Sequence, residues 1–339
     1  MRACNGRVPL ATAALAALLT ACAGEASGVS ARTSGGDPGS AGRLKLATWN
    51  VEWLIAPQEL RRLRRDCLPK GVPPGRRERF VPCDVATDLE RSASDFAALA
   101  RYARRLDADV IALQEVDGPA AARLVFPGYA FCFTSRRHVQ NTGFAIRRGI
   151  PYRCAEYARL ALDGRVRRGA ELVLYPGESR ELHLLSVHLK SGCGRRSLDS
   201  GREACIVLAQ QVPVLERWID ERAKRGQRFA VLGDFNRDLL DDRGPARSPS
   251  GSLRSLWAEI DDGDPPEADL VNPAEGQRFR NCSPRQNHAG YIDHIVLSRS
   301  LAWHLVPGSF ERLVYQPDEA LSLRLADHCP VAVTIELER

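Results

Sequence analysis

Six short segments, spread over most of the 339 residues, place polar side chains that can bind metal or carry protons next to apolar runs. They are Trp49-Asn50, Gln114-Glu115, Val187-His188-Leu189, Gly233-Asp234-Phe235-Asn236, Ile292-Asp293-His294 and Ala326-Asp327-His328. Each alone has an ordinary structural explanation: a solvated acid at a strand edge, an Asp-His turn, an aspartate tying a loop. As a set they contain the groups that phosphodiester hydrolysis needs. A phosphodiester is a poor electrophile because its oxygens are negative. Its cleavage calls for charge neutralisation, an oriented water and a protonated leaving group.

The order of Asn50, Glu115, His188, Asp234, Asn236, Asp293, Asp327 and His328 along the chain resembles that of the endonuclease/exonuclease/phosphatase superfamily. Gly-Asp-Phe-Asn at 233–236 and Asp-His-Cys-Pro at 327–330 carry most of the likeness, which covers residues 44 to 339. The resemblance implies a four-layered α/β sandwich, with two mostly antiparallel sheets packed face to face and helices outside. It also implies relatives among deoxyribonuclease-type and abasic-site endonucleases, sphingomyelinases and inositol-polyphosphate phosphatases.

The residue types fit named roles in such a reaction. Glu115 is a hard oxygen ligand suited to Mg²⁺, with Mn²⁺ or Ca²⁺ as substitutes, and Asn50 and Asp327 are its neighbours. His328 is the proton-transfer group or a donor to a phosphoryl oxygen. Asp293 orients its imidazole and raises its proton affinity by opposite charge. Asp234 orients the attacking water or deprotonates it. Asn236 and His188 donate hydrogen bonds to oxygens that gain charge. In deoxyribonuclease-type members the histidine matching His188 has an acidic partner on an earlier strand. Here that position falls near Asn141, which points to His188 as a phosphate donor. His294 points away from Asp293 on a strand and reads as structural. Lys190 stays outside the core set.

The elements that must position these groups follow from periodicity. Leu44–Val51, Val110–Leu113, Gly143–Arg147, Ala170–Tyr175, Glu181–His188, Phe229–Leu232, Ile292–Leu297 and Val331–Leu337 read as strands. Leu89–Leu106 and Glu203–Lys224 have helical spacing, the second interrupted by Pro213. Residues 56–88 carry five prolines and many charges and read as a long irregular insertion.

Residues 1–21 read as a signal peptide: Arg2 and Arg7 precede an apolar run, Val8–Leu19, that is shorter than the ~20 residues of a membrane span. Leu19-Thr20-Ala21-Cys22 resembles a bacterial lipobox, in which Cys22 would be lipidated and become the mature N-terminus; the other reading is an ordinary signal cut near Ala21 or Ala23. Residues 22–43 read as a flexible tether and 44–339 as the folded domain. The expected location is the cell envelope, periplasmic or surface-facing, with the lipid as the only membrane attachment, or the medium if the lipobox is not used. Eight cysteines follow the leader and suggest disulfides, with neighbour pairing Cys67–Cys83, Cys132–Cys154, Cys193–Cys205 and Cys282–Cys329.

Removing Arg2 and Arg7 from 48 basic residues leaves 46 against 42 acidic ones, too mild a surplus to indicate nucleic-acid binding by itself. The arginines of 56–88 are more concentrated and could hold a polyanion; so could Arg136, Arg137 and His138. The preferred expectation is an exported monomeric nuclease acting on nucleic acid. A sphingomyelinase-like or inositol-phosphate hydrolase is the alternative, with aromatics at only 6% against it. A non-catalytic surface binding module is the third reading.

Overall fold

The computed structural model describes residues 42–69, 72, 79–135, 138–242, 244–286, 288 and 290–337. The leader, Cys22 and the tether up to residue 41 lie outside the described residues, as do Lys70, Arg76, Arg77, Arg136 and Arg137.

In chain order the elements are β1 (Arg43–Leu54), α1 (Pro57–Arg64), α2 (Cys83–Asp88), α3 (Ala93–Leu106), β2 (Val110–Val116), α4 (Pro119–Val125), β3 (Tyr129–Phe133), β4 (Asn141–Arg147), β5 (Tyr152–Tyr157), β6 (Gly169–Leu174), β7 (Leu182–His188), α5 (Glu203–Ala223), β8 (Phe229–Asp234), α6 (Leu256–Ile260), β9 (Leu270–Val271), β10 (Asp293–Ser298), α7 (Arg299–Ala302), β11 (Glu311–Arg312), α8 (Pro317–Ser322) and β12 (Val331–Glu336). Strands β7, β8 and β10 are buried along their whole length. Both of their faces are covered, so their sequences run apolar instead of alternating.

The strands form two six-stranded sheets, ordered β11-β12-β1-β2-β4-β3 and β5-β6-β7-β8-β10-β9. Each sheet has one parallel pair at its centre, β1–β2 in one and β7–β8 in the other; the remaining pairings are antiparallel. Leu46, Ala112 and Phe144 of the first sheet meet Leu172, Leu184 and Leu232 of the second in a central apolar layer. Phe96, Leu99 and Tyr102 of α3 cover the first sheet's outer face. Leu208, Leu215 and Trp218 of α5 cover the second's. This is the four-layered sandwich expected from the sequence.

The differences from the sequence reading are local. The helix expected from Leu89 starts at Ala93, where Ser92 and Asp95 cap each other reciprocally. Residues 56–88 are not irregular throughout, since they contain α1 and α2 around a small core of Leu60, Leu63, Val81 and Ala86. Two prolines read as breakers act as starters: Pro57 opens α1 and Pro82 precedes α2. The domain begins at Arg43, inside the segment read as tether. β3, β5, β9 and β11 were not anticipated; β9 and β11 have two residues each, and β5 is a half-exposed edge strand. Three of the four expected disulfides are present: Cys67–Cys83, Cys132–Cys154 and Cys193–Cys205. Cys282 and Cys329 are instead buried thiols. Their S–H groups donate to Asp327 O (3.4 Å) and Cys282 O (3.3 Å), so both sulfurs hold backbone. Among the described residues no helix is long and apolar enough to cross a membrane.

Gly233 decides how closely β7 and β8 approach. A Cβ built there would lie 2.0 Å from Val187 O and 2.9 Å from Val187 N, all backbone atoms that cannot swing aside. Gly233→Ala is therefore expected to cost roughly 3 kcal/mol or more through forced backbone displacement, read as a lower midpoint in urea unfolding. A second expectation concerns Glu216 on α5. Burial, then Asp262, Asp220 and Glu259, push its carboxyl up to about 8. The folded chain binds this proton more tightly than the unfolded chain, so the group opposes folding increasingly as pH rises through that range. Glu216→Gln should raise Tm at about pH 9 and leave it unchanged at about pH 4.

Candidate active site

Each of the four central strands carries a polar residue at or near its C-terminal end, on the same rim. Asn50 and Glu115 come from β1 and β2, His188 and Asp234 from β7 and β8. Asp293 opens β10, and Asp327 and His328 lie just before β12, both antiparallel neighbours that start where the parallel pairs end. Asn50, His188, Asp234, Asp293, Asp327 and His328 are all buried, and Glu115 nearly so.

The side chains meet around Asp234. Asn50 Nδ2 donates to Asp234 Oδ2 at 3.0 Å and lies 3.4 Å from Glu115 Oε1. His188 Nε2 is 3.4 Å from Asp234 Oδ2 and 3.8 Å from Glu115 Oε1. His328 Nε2 is 3.9 Å from Asp234 Oδ2 and 3.8 Å from Asp327 Oδ1. Its other nitrogen, Nδ1, sits 2.8 and 3.0 Å from the two oxygens of Asp293.

Their surroundings push the two histidines in opposite directions. Burial would push His328 down, but Asp293, then Asp234 and Asp327, outweigh it and raise the imidazole well above its ordinary range. His188 is pushed well below, by burial and then by Arg167 and His328. Its buried Nδ1 has no hydrogen-bond partner. Asn141 bonds elsewhere, to Thr134 and His138. His188 is thus a neutral imidazole with no carboxylate behind it, unlike His328. Burial raises Asp234 and Asp327, which also feel one another's neighbouring carboxylates.

Asn236 differs from expectation: Nδ2 donates to Leu189 O at 3.1 Å, so the amide ties a loop. Asn50 Oδ1 accepts from Glu52 N at 3.0 Å, which uses one lone pair of the oxygen assigned to a metal. His294 is structural, with its ring between Leu239 N and Asn272. β7 stops at His188, and Lys190 Nζ donates to Ser191 O.

The sequence reading missed four contributors. Glu52 Oε2 accepts from Asp327 N at 3.1 Å, with the buried Arg91 3.8 Å away. Its signal was its position two residues past Asn50, the spacing that shares a strand face. Arg167, half-buried beside Glu115 and Asp234, has no sequence mark. It donates to the neutral Gln140. Tyr315 OH donates to His328 O at 2.6 Å and accepts from Trp49 Nε1 at 3.0 Å, fixing the catalytic turn from behind. His288 stacks on His328.

Glu52, Glu115, Asp234, Asp293 and Asp327 crowd this rim, against the cations His328, Arg91 and Arg167. The surplus is negative and the free donors are carboxylate oxygens, a set that fits a hard divalent cation.

Tyr315→Phe should destabilise the fold by about 1–3 kcal/mol, because Trp49 Nε1 and His328 O both lose a buried partner. Thermal unfolding reads this directly.

The profile of the endonuclease/exonuclease/phosphatase family matches residues 47–315. Truncated TDP2 from Caenorhabditis elegans superposes with a TM-score of 0.54 at 15% identity, over 87% of this chain and 98% of its own. The AP endonuclease LMAP of Leishmania major gives 0.53 at 16%, over 88% and 89%. TDP2 of D. rerio, complexed with a single-strand DNA product, gives 0.51 at 17%, over 86% and 98%. At such identities the likeness is one of fold. No curated protein matches the chain in sequence.

Proposed function

The chain belongs to the endonuclease/exonuclease/phosphatase family, enzymes of phosphoester hydrolysis, and from that premise we propose that it is an exported, metal-dependent nuclease. The observation that carries the reading is the convergence of His188 and His328, the latter backed by Asp293, on Asp234, beside Glu115.

Glu115 and Asp327, with Asn50, would hold the divalent cation, Mg²⁺ by donor type. Bound there, it would offset the negative charge of the scissile phosphate and of the surrounding carboxylates. Asp234 orients the attacking water or takes its proton. Its own geometry is set by Asn50 and by Asn236 N, which donates to Oδ1 at 2.8 Å. His188 offers a neutral N–H to a phosphoryl oxygen. His328 holds a proton at Nε2, for the leaving oxygen or as a donor to the phosphoryl group, while Asp293 fixes the ring through Nδ1.

Nucleic acid is favoured by positive charge near the rim. Arg167 faces the site beside Glu115 and Asp234 and donates to the neutral Gln140. Arg61 and Arg65 are exposed on and just after α1, which begins three residues after the site-bearing β1 ends. The D. rerio neighbour holds a single-strand DNA product, in keeping with that substrate class. Three disulfides support an oxidising compartment and hence export.

The purified protein with Mg²⁺ should cleave plasmid DNA, single-stranded DNA or RNA, and leave sphingomyelin vesicles intact. EDTA should abolish the activity, and His328→Ala should lower kcat by about 10²–10⁴-fold. Lipid cleavage without nucleic-acid cleavage would overturn the substrate; equal turnover of variant and wild type would overturn the site. Cys22→Ala should lose lipid labelling in cells, and labelling that persists would refute the anchor.

A further inference from the structure

His288 lies between β9 and β10, outside every motif that marks the site. Its ring stacks on His328 with centroids 4.3 Å apart and 29° between planes. Both of its nitrogens are buried; the backbone of Asp327 faces the ring, and among the described residues neither nitrogen makes a well-formed hydrogen bond. A buried polar atom without a partner is uncommon in a native fold, and an ion or an ordered water is the ordinary explanation. Ligand atoms of His288, Asp293 and His328 lie within 4.8 Å of one another.

We propose that His288, Asp293 and His328 form a second cation site, selective for Zn²⁺-class ions, whose occupation disables the His–Asp pair. The proposal rests on the reading of that pair as the proton-transfer group. Two imidazoles and one carboxylate are a poor set for Mg²⁺, which prefers oxygen, and a good one for Zn²⁺. Three protein ligands leave a fourth position for water. Bonds of roughly 2.0–2.1 Å require the ligand atoms to draw together, and among the described residues no well-formed hydrogen bond holds the His288 ring back. The nitrogen of His328 that faces Asp293 is Nδ1, so ligation there displaces the Nδ1 proton to solvent and turns the Asp293 carboxylate from the ring to the metal. The cation and the hydrogen bond that orients the ring compete for one place.

Stacking alone would need only a ring at position 288, which separates a packing role from a ligand role. Titrating the folded protein with Co²⁺ in excess Mg²⁺ and following the visible d–d absorption reads the site directly. Wild type should bind one equivalent through nitrogen ligands, with Zn²⁺ displacing it. Glu115→Gln should keep the band. His288→Phe, which retains the ring, and His288→Gln, the second variant if the first is misfolded by near-UV dichroism, should lose it or bind at least ~100-fold more weakly, beyond what second-shell changes usually cost. An unchanged band and affinity in either folded variant would overturn the site, as would no band in wild type. In parallel, Zn²⁺ should inhibit Mg²⁺-supported cleavage by wild type and not by His288→Phe. A His288-dependent band without inhibition would overturn the competition, and would place the error in the role given to His328, not in the cation site.

Discussion

Asn50 donates through one amide nitrogen to Asp234 on the opposite sheet and lies within reach of Glu115 on its own. This bridge holds together a rim that would otherwise repel itself. Five carboxylates collect where the two sheets meet, in surroundings too buried for water to screen them. Like charges at such distances oppose folding unless something neutral or positive stands between them. Asn50 is the neutral spacer, and the protonated His328 is the positive one, reaching three aspartates at once. A site assembled this way carries a standing deficit of positive charge, which an anionic substrate alone would worsen. A divalent cation relieves the deficit, and that is why the carboxylates and the metal requirement belong to one argument.

The topology explains why such a rim exists. Both sheets have the same succession of strand directions: an edge strand, an antiparallel neighbour, a parallel pair, then two antiparallel strands. Parallel strands end at the same side, so four residues near their C-terminal ends gather there: Asn50, Glu115, His188 and Asp234. The antiparallel neighbours β10 and β12 begin at that side and deliver Asp293 and His328. No repeat is visible in the sequence, because the symmetry lies in strand direction and the side chains differ in the two halves. The outer helices contribute little to this rim directly; they cover the sheets so that the strand ends stay in register.

Much of this was legible in the residues. Apolar runs of four to seven residues ending in Asn, Glu, His or Asp mark strands that deposit a polar group at a boundary, and their order along the chain resembles that of one family. The Asp293–His328 pairing was expected from that resemblance, and the fold brings the two side chains together. What stayed hidden depends on tertiary placement. Arg91 and Arg167 look like any other arginine in an arginine-rich chain, and only packing makes them buried counter-charges. Tyr315 reaches Trp49 across 266 positions of sequence. The two-residue strands β9 and β11 are too short to show a period. The Cys282–Cys329 pairing failed because thiols can satisfy carbonyls as well as each other, and spacing cannot tell which.

The backbone at the site shows how the carboxylates are aimed. Glu52, Trp53, Glu115 and Asn236 all have positive φ, a conformation L-residues with side chains adopt at a cost of about 1–2 kcal/mol each. Three of the four turn a backbone N–H onto a site side chain. Glu52 N donates to Asn50 Oδ1, Trp53 N to Glu115 Oε2 and Asn236 N to Asp234 Oδ1. Two of these are bonds to carboxylates, worth roughly 1.5–3 kcal/mol each when the acceptor is charged. β1 and β2 shift register between Asn50 and Leu54, and β2 and β4 between Leu113 and Val116, which is what swings those N–H groups inward. A glycine at 52 or 115 would relieve the strain but lose the side chain the site needs. The kinked strand ends are therefore part of the site's construction: they fix one oxygen of Glu115 and one of Asp234 by backbone, and the other oxygen of each faces the Asn50 amide.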